Sequence, residues 1–143
     1  MFVLDTNVVS ELRQGKPSQS PEVRRWAATQ PAARLFLSAI TILELEKGVQ
    51  ALEARTPTQG SALRVWLTAV GTAFDGRILP FTERTAPICA ALHVPNARAE
   101  RDAMIAATAL EHGFTVVTRN TPDFTHTGVQ LLNPWLHLRA GSG

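Results

Sequence analysis

The stretch DAMIAATALEHGFTVVTRN, residues 102–120, decides the fold. Residues 99–112 read as a helix that is apolar almost all round, and its many alanines suit a helix lying tightly on a sheet. Gly113 is a natural stop, because glycine reaches the left-handed conformation that ends helices. Thr115-Val116-Val117-Thr118 then follows as a β-branched strand. At the other end of the chain FVLDTNVVSEL, residues 2–12, reads as a short apolar strand (Phe2-Val3-Leu4), a polar turn (Asp5-Thr6-Asn7) and a helix. Between these two stretches, Leu35-Phe36-Leu37 and Arg77 to Phe81 are strand candidates, and Val129-Gln130-Leu131-Leu132 is the last. Pro21 opens a helix that runs to near Gln30. Ile42, Leu45, Val49 and Leu52 stripe a helix over 41–54, and Leu63, Trp66, Leu67, Val70 and Phe74 stripe another over 61–74, with a loop from Pro57 to Gly60 between them. A helix over 83–93 precedes the break at Pro95-Asn96. Strands thus alternate with helices, which argues for an α/β domain: a central, mainly parallel β-sheet of about five short strands flanked by α-helices.

Composition sets the outer limits. The chain has 143 residues, 45% apolar and 18% charged, enough for one core and too apolar for disorder. Residues 1–135 read as one domain, and 136–143, ending in Gly-Ser-Gly, as a flexible C-terminal tail. The longest apolar run, AMIAATAL at 103–110, falls far short of the ~20 residues that span a bilayer, and Met1 enters FVLD without a basic leader, so neither a membrane span nor a secretory signal is expected. Cys89 is the single cysteine; it excludes an intrachain disulfide and fits a reducing cytoplasm. A net charge of +2 identifies no partner, although Arg24/Arg25, Arg98/Arg101 and Arg119 can build a local positive field.

In an open parallel sheet, ligands bind beyond the carboxyl ends of the strands. Four acids belong there. Asp5 follows the first strand, Glu44 opens the helix after the second, Asp102 starts the apolar helix, and Asp123 comes shortly after TVVT. Carboxylates drawn together repel unless a cation takes up the charge, and an all-oxygen set suits Mg²⁺ or Mn²⁺ better than zinc. Such an ion activates water toward a phosphodiester, which makes metal-dependent phosphodiester hydrolysis the expected reaction class. Each acid also has a structural reading. Asp5 can cap the following helix, and Glu44 can complete a capping box opened by Thr41, although Gly48 one turn on leaves its face bare. Asp102 is hardest to explain structurally, because an unpaired charge beside Ala103-Met104-Ile105 is expensive. Asp123 can belong to an Asx-turn, with Asn120 making the polar contact instead. His93, His112, His126 and His137 share no ligand spacing, Cys89 reads as a core side chain, and Trp26, Trp66 and Trp135 as core or partner-surface anchors. No phosphate-binding loop, dinucleotide fingerprint or nucleophile elbow is present.

Four pieces in order, FVLDTNVVSEL, LSAITILELEKGV, DAMIAATALEHGFTVVTRNTPDF and GVQLLNPW, resemble the PIN domain from Phe2 to Trp135, and within it the VapC-type toxins of bacterial toxin–antitoxin pairs, especially the FitB-like branch. The resemblance implies a PIN-like nuclease domain over 1–135 and a ribonuclease using Mg²⁺ or Mn²⁺. It also implies a cognate VapB-type antitoxin, a homodimer, and a toxin–antitoxin hetero-oligomer that meets operator DNA only through the antitoxin. It gives metal-site roles to Asp5, Glu44 and Asp102, with Thr6 and Asn7 shaping the site and Thr118 supporting it. Where relatives place an acid right after the Thr-Arg pair, this chain has Asn120, so Asn120 or Asp123 completes the set. Upstream of Asp102, where relatives often carry a Ser cap and a nearby Asp, the chain reads Asn96-Ala97-Arg98-Ala99-Glu100-Arg101; Asn96 is the expected helix start and Glu100 the expected substitute acid. Arg101 and Arg119 either contact RNA phosphates or pair with the carboxylates. A reading of another class is a non-catalytic module whose acidic rim binds an Arg-bearing peptide. A phosphatase with an Asp5 nucleophile ranks last, since Asn7 stands where it would want a second acid.

Overall fold

β1 (Phe2–Leu4) leads through Asp5 into α1 (Thr6–Glu11) and α2 (Pro21–Ala28). β2 (Leu35–Ser38) runs directly into α3 (Ala39–Arg55), followed by α4 (Pro57–Ala73) and β3 (Ile78–Leu79). α5 (Thr85–Leu92) and α6 (Glu100–His112) precede β4 (Thr115–Val117), and β5 (Leu131–Leu132) comes last. This computed structural model describes residues 1–137; of the expected tail, Leu136 belongs to a 3-10 turn (Pro134–Leu136), and residues 138–143 lie outside the described residues. No helix among the described residues is long and apolar enough to cross a membrane.

The five strands form a sheet in the order β3-β2-β1-β4-β5, with every pair parallel. Val3 pairs with Val116 and Leu4 with Val117. Because side chains alternate across a strand, this register sends each pair to its own face. Leu4 and Val117 join Leu37, Val8, Val23, Trp26 and Val49 on the face covered by α1 to α4. Val3 and Val116 join Ile105, Ala106, Ala109 and Phe124 under α6. Burying each Val, Leu or Ile side chain contributes at most about 1.5–3 kcal/mol. The alanines expected to let the helix lie close do so: Ala106, Ala107 and Ala109 are fully buried, and α5 packs on the far side through Cys89 against Ala103 and Ala107. Gly113 ends α6 with φ +70°. The chain winds from β1 out to β3 and then returns to β4 on the other side of β1. The order therefore reverses between β1 and β4, where a crevice opens at the carboxyl ends of the strands.

Three local expectations need correction. The cap of α3 is Ser38, whose Oγ accepts from Thr41 N at 3.1 Å, so Thr41 lies inside the first turn and Glu44 has no capping role. α4 starts at Pro57, one turn before the expected 61. Proline is favoured in a first turn, and Gly60 is needed where α4 crosses α3, since a Cβ there would stand 2.4 Å from Glu53 Cα. α6 starts at Glu100 without a side-chain cap, so Asn96 does not open it.

Candidate metal centre

Asp5 is the first residue past the central strand, and its backbone N–H still donates to Val117 O at 2.9 Å, which holds it in the crevice between β1 and β4. It is fully buried, and its carboxylate is correspondingly well satisfied. Oδ1 accepts from Thr6 N (2.7 Å), which makes Asp5 the N-cap of α1. Oδ2 accepts from the Thr118 hydroxyl (2.8 Å) and from Asn7 Nδ2 (3.3 Å). The capping and site readings of Asp5 are thus compatible, because the cap uses only part of the carboxylate. Thr118 Oγ1 in turn accepts from Asn120 N (3.0 Å), and Asn7 Oδ1 accepts from Arg119 N (3.2 Å), so the ends of β1 and β4 are tied together through side chains.

Glu44 projects from the second turn of α3, and the Thr6 hydroxyl donates to its Oε1 at 2.5 Å. Asp102 enters from the first turn of α6. These two acids and Asp5 converge on one group, the guanidinium of Arg101. Nη2 donates to Asp5 Oδ1 (2.5 Å), Nη1 to Asp102 Oδ1 (2.7 Å), and Nε to Glu44 Oε2. Of the two expectations for Arg101, pairing with the carboxylates is the one realised. Burial acts to lower its pKa, but the hydrogen bond to Glu44, the charge and hydrogen bond of Asp5 and the hydrogen bond to Asp102 overrule it and hold the guanidinium above its ordinary value. Three carboxylates against one guanidinium leave the cluster negative.

Other candidates fall outside this group. Asp123 is exposed on a 3-10 turn (Thr121–Thr127), its N–H on Asn120 O at 3.0 Å, and its side chain makes no hydrogen bond or ion pair among the described residues. Asn120 is exposed and touches the cluster through its backbone N–H on Thr118. Glu100 does not join the acids: it turns to His93, 3.5 Å from Nε2. Arg119 lies over the Trp135 ring, 5.2 Å from its centroid.

Two features were not legible. A groove of about 300 Å³ reaches the cluster at Thr6 and Glu44, with Arg13, Lys16 and Trp66 along it. Arg13 and Lys16 come just after α1, where a basic residue reads as loop or helix-end chemistry; Arg13 lies 6.0 Å from the Trp66 ring centroid and Lys16 3.2 Å from Glu11, so both line the groove from its far part. Cys89, His93 and Glu100 also bring ligand atoms within 4.8 Å of one another, correcting the expectation that no histidine has ligand spacing. Here His93 Nδ1 accepts the Arg98 backbone N–H at 3.0 Å, which puts the ring hydrogen on Nε2 and leaves no lone pair for a metal on that side. Burial, aided by the negative charge of Glu100, raises the Cys89 thiol above its ordinary value and disfavours the thiolate a metal would need.

The model of the PIN domain matches residues 2–129. The VapC ribonuclease Y4jK of Sinorhizobium fredii is 38% identical over 143 residues, covering 94% of this chain and 98% of that protein. Toxin FitB of Neisseria gonorrhoeae is 37% identical over 141 residues, covering 94% of this chain and 99% of that toxin. Among solved structures, the FitAcB complex from Neisseria gonorrhoeae has a chain that superposes with a TM-score of 0.86 at 37% identity, over 95% of this chain and 99% of that one. With the match running from β1 past β4 and taking in Asp5, Glu44 and Asp102, this chain belongs to the PIN-domain family.

Proposed function

We propose that this chain is the toxin of a toxin–antitoxin pair, a metal-dependent endoribonuclease that hydrolyses RNA phosphodiester bonds, with Mg²⁺ as its working ion and Mn²⁺ able to replace it. The observation that carries this reading is the convergence of Asp5, Glu44 and Asp102, from three distant segments, on a single point at the strand ends. The donor set is all oxygen and net negative, which fits a hard divalent cation. Asp5, Glu44 and Asp102 are the residues that hold it, and the fourth contact comes from Asn120 or Asp123. A cation bound there supplies an activated water and offsets charge developing on the phosphate.

The chain's own residues orient these donors. Thr118 and Asn7 fix one oxygen of Asp5 and the Thr6 amide the other, while the Thr6 hydroxyl sets the rotamer of Glu44. Such supporting hydrogen bonds hold ligands ready at little entropic cost. Arg13, which lines the groove with Thr6 and Glu44, offers positive charge to the phosphates of an approaching strand, while Lys16 is engaged with Glu11 at 3.2 Å. Relatives named as ribonucleases support turnover over the non-catalytic module, and solved relatives described as toxin–antitoxin complexes support a VapB-type antitoxin as partner. By the same kinship we assign a homodimer, a hetero-oligomer with the antitoxin that reaches operator DNA only through it, and a cytoplasmic site of action.

The test is induction of the chain alone in a bacterial host. Growth arrest with new RNA 5′ ends is expected, and Asp5→Asn is expected to abolish both. Normal growth while the folded wild-type chain accumulates contradicts the proposal.

A further inference from the structure

Arg101 sits in the middle of the carboxylate cluster and belongs to the chain itself. Its Nη2, Nη1 and Nε each take a different acid, Asp5, Asp102 and Glu44, and Nη2 also lies 3.4 Å from Thr6 Oγ1. These carboxylates are the ones that the proposed function, on which this inference rests, gives to a divalent cation. We propose that Arg101 is a resident counter-cation that competes with the divalent ion for Asp5, Glu44 and Asp102, so that metal affinity in this chain is set by release of the guanidinium as well as by the acids.

The physical reasons are local. Three carboxylates cannot stay close and ionised without a cation among them. A guanidinium has the right donors, since its planar fork presents several N–H groups and remains charged at any working pH. It carries one positive charge where the ion carries two, so it leaves the cluster negative and a divalent ion at sufficient concentration displaces it. The exit is open, because the Arg101 side chain is 34% exposed while Asp5 is 0% exposed. Its backbone lies in the first turn of α6, so the side chain can swing out while Ala103, Ile105, Ala106 and Ala107 stay packed. When a competing state fills the site most of the time, apparent affinity falls by the fraction of chains left competent.

The experiment titrates the full chain with Mn²⁺ by calorimetry, beside Arg101→Ala and Arg101→Lys. In parallel, the Arg101 Nε–H resonance of ¹⁵N-labelled wild type is followed during titration with Mg²⁺. Arg101→Ala is expected to bind Mn²⁺ about tenfold more tightly or better, with Arg101→Lys in between because one ammonium cannot span three acids. The Nε–H signal is expected to move in step with Mg²⁺ saturation as it leaves Glu44. This second readout needs no variant to fold and does not depend on activity. Equal or weaker Mn²⁺ binding by folded Arg101→Ala, or an Nε–H signal that stays put while Mg²⁺ binds, overturns the competition and leaves the metal reading standing. Absence of Mn²⁺ binding in both folded wild type and folded Arg101→Ala overturns the metal reading and this inference with it.

Discussion

Thr118→Val removes a hydroxyl from the buried heart of the site, and with it both the hydrogen bond given to Asp5 and the one taken from the Asn120 N–H. The Thr118 hydroxyl donates to Asp5 Oδ2 at 2.8 Å, and among the described residues the only other partner of that oxygen is Asn7 Nδ2 at 3.3 Å. Valine keeps the shape of threonine and removes the donor, and its methyl cannot approach an oxygen so closely. Asp5 and Thr118 are both fully buried, so no solvent stands by to replace the bond. A hydrogen bond to a charged group is worth about 1.5–3 kcal/mol, and for a domain of this size each kcal/mol moves the thermal midpoint by about 2–4 °C. Measured in EDTA, so that no metal contributes, Thr118→Val is expected to melt about 3–12 °C below wild type. Its Mn²⁺ affinity is expected to fall about 10–100-fold, the usual cost of losing a group that orients a ligand. Thr118→Ser, which restores the hydroxyl, recovers most of the metal affinity. A Thr118→Val chain with the wild-type midpoint and wild-type Mn²⁺ affinity refutes the claim that this hydroxyl holds Asp5 in place.

Three further outcomes follow from other parts of the molecule. Gly60→Ala forces a Cβ to within 2.4 Å of Glu53 Cα, so α4 must move off α3, and urea denaturation is expected to show a loss of about 1–3 kcal/mol; an unchanged midpoint contradicts the close crossing. Arg64 hydrogen-bonds Glu46 at 2.7 and 2.9 Å and also holds Glu53, and these hydrogen bonds keep both carboxyls below their ordinary 4.5. A lowered folded pKa gives stability that is present above 4.5 and lost as pH falls through the folded value, so the gap in melting temperature between wild type and Arg64→Ala should be full at neutral pH and close in acid; a gap that widens toward low pH counts against the pair. Asp123→Ala should reduce RNA cleavage less than Asp102→Asn, because Asp123 is exposed and outside the hydrogen bonds around Arg101; equal losses would contradict this ranking of the two acids.

Much of the architecture was legible because buried parallel strands and the helices on them carry strong local patterns. FVL, LFL and TVV are short apolar or β-branched runs, and the alanine-rich helix before TVV has no polar face to confuse the reading. The elements whose local pattern misleads depend on their neighbours in the fold. Pro57 and Gly60 look like loop punctuation, yet proline fits the first turn of α4 and glycine is required by the crossing with α3. Thr41 and Glu44 have capping-box spacing, but β2 passes into α3 without a loop, which makes Ser38 the cap. Asp5, Glu44 and Asp102 could be found because strand ends and first helical turns are fixed by local pattern. Which partner Arg101 takes is a three-dimensional question, and the sequence left it open between RNA phosphate and carboxylate. The groove with Arg13 and Trp66 exists only once α1, α3 and α4 are packed together.

The most direct test of the central claim is cleavage of a mixed pool of structured RNAs by the purified chain, freed of antitoxin, with Mg²⁺ or Mn²⁺ and with EDTA, beside Asp5→Asn and Asp102→Asn. Wild type is expected to cut, EDTA to abolish the cutting, and both folded variants to lose it. Cutting that persists in EDTA or in both variants, with their folding intact, contradicts the claim.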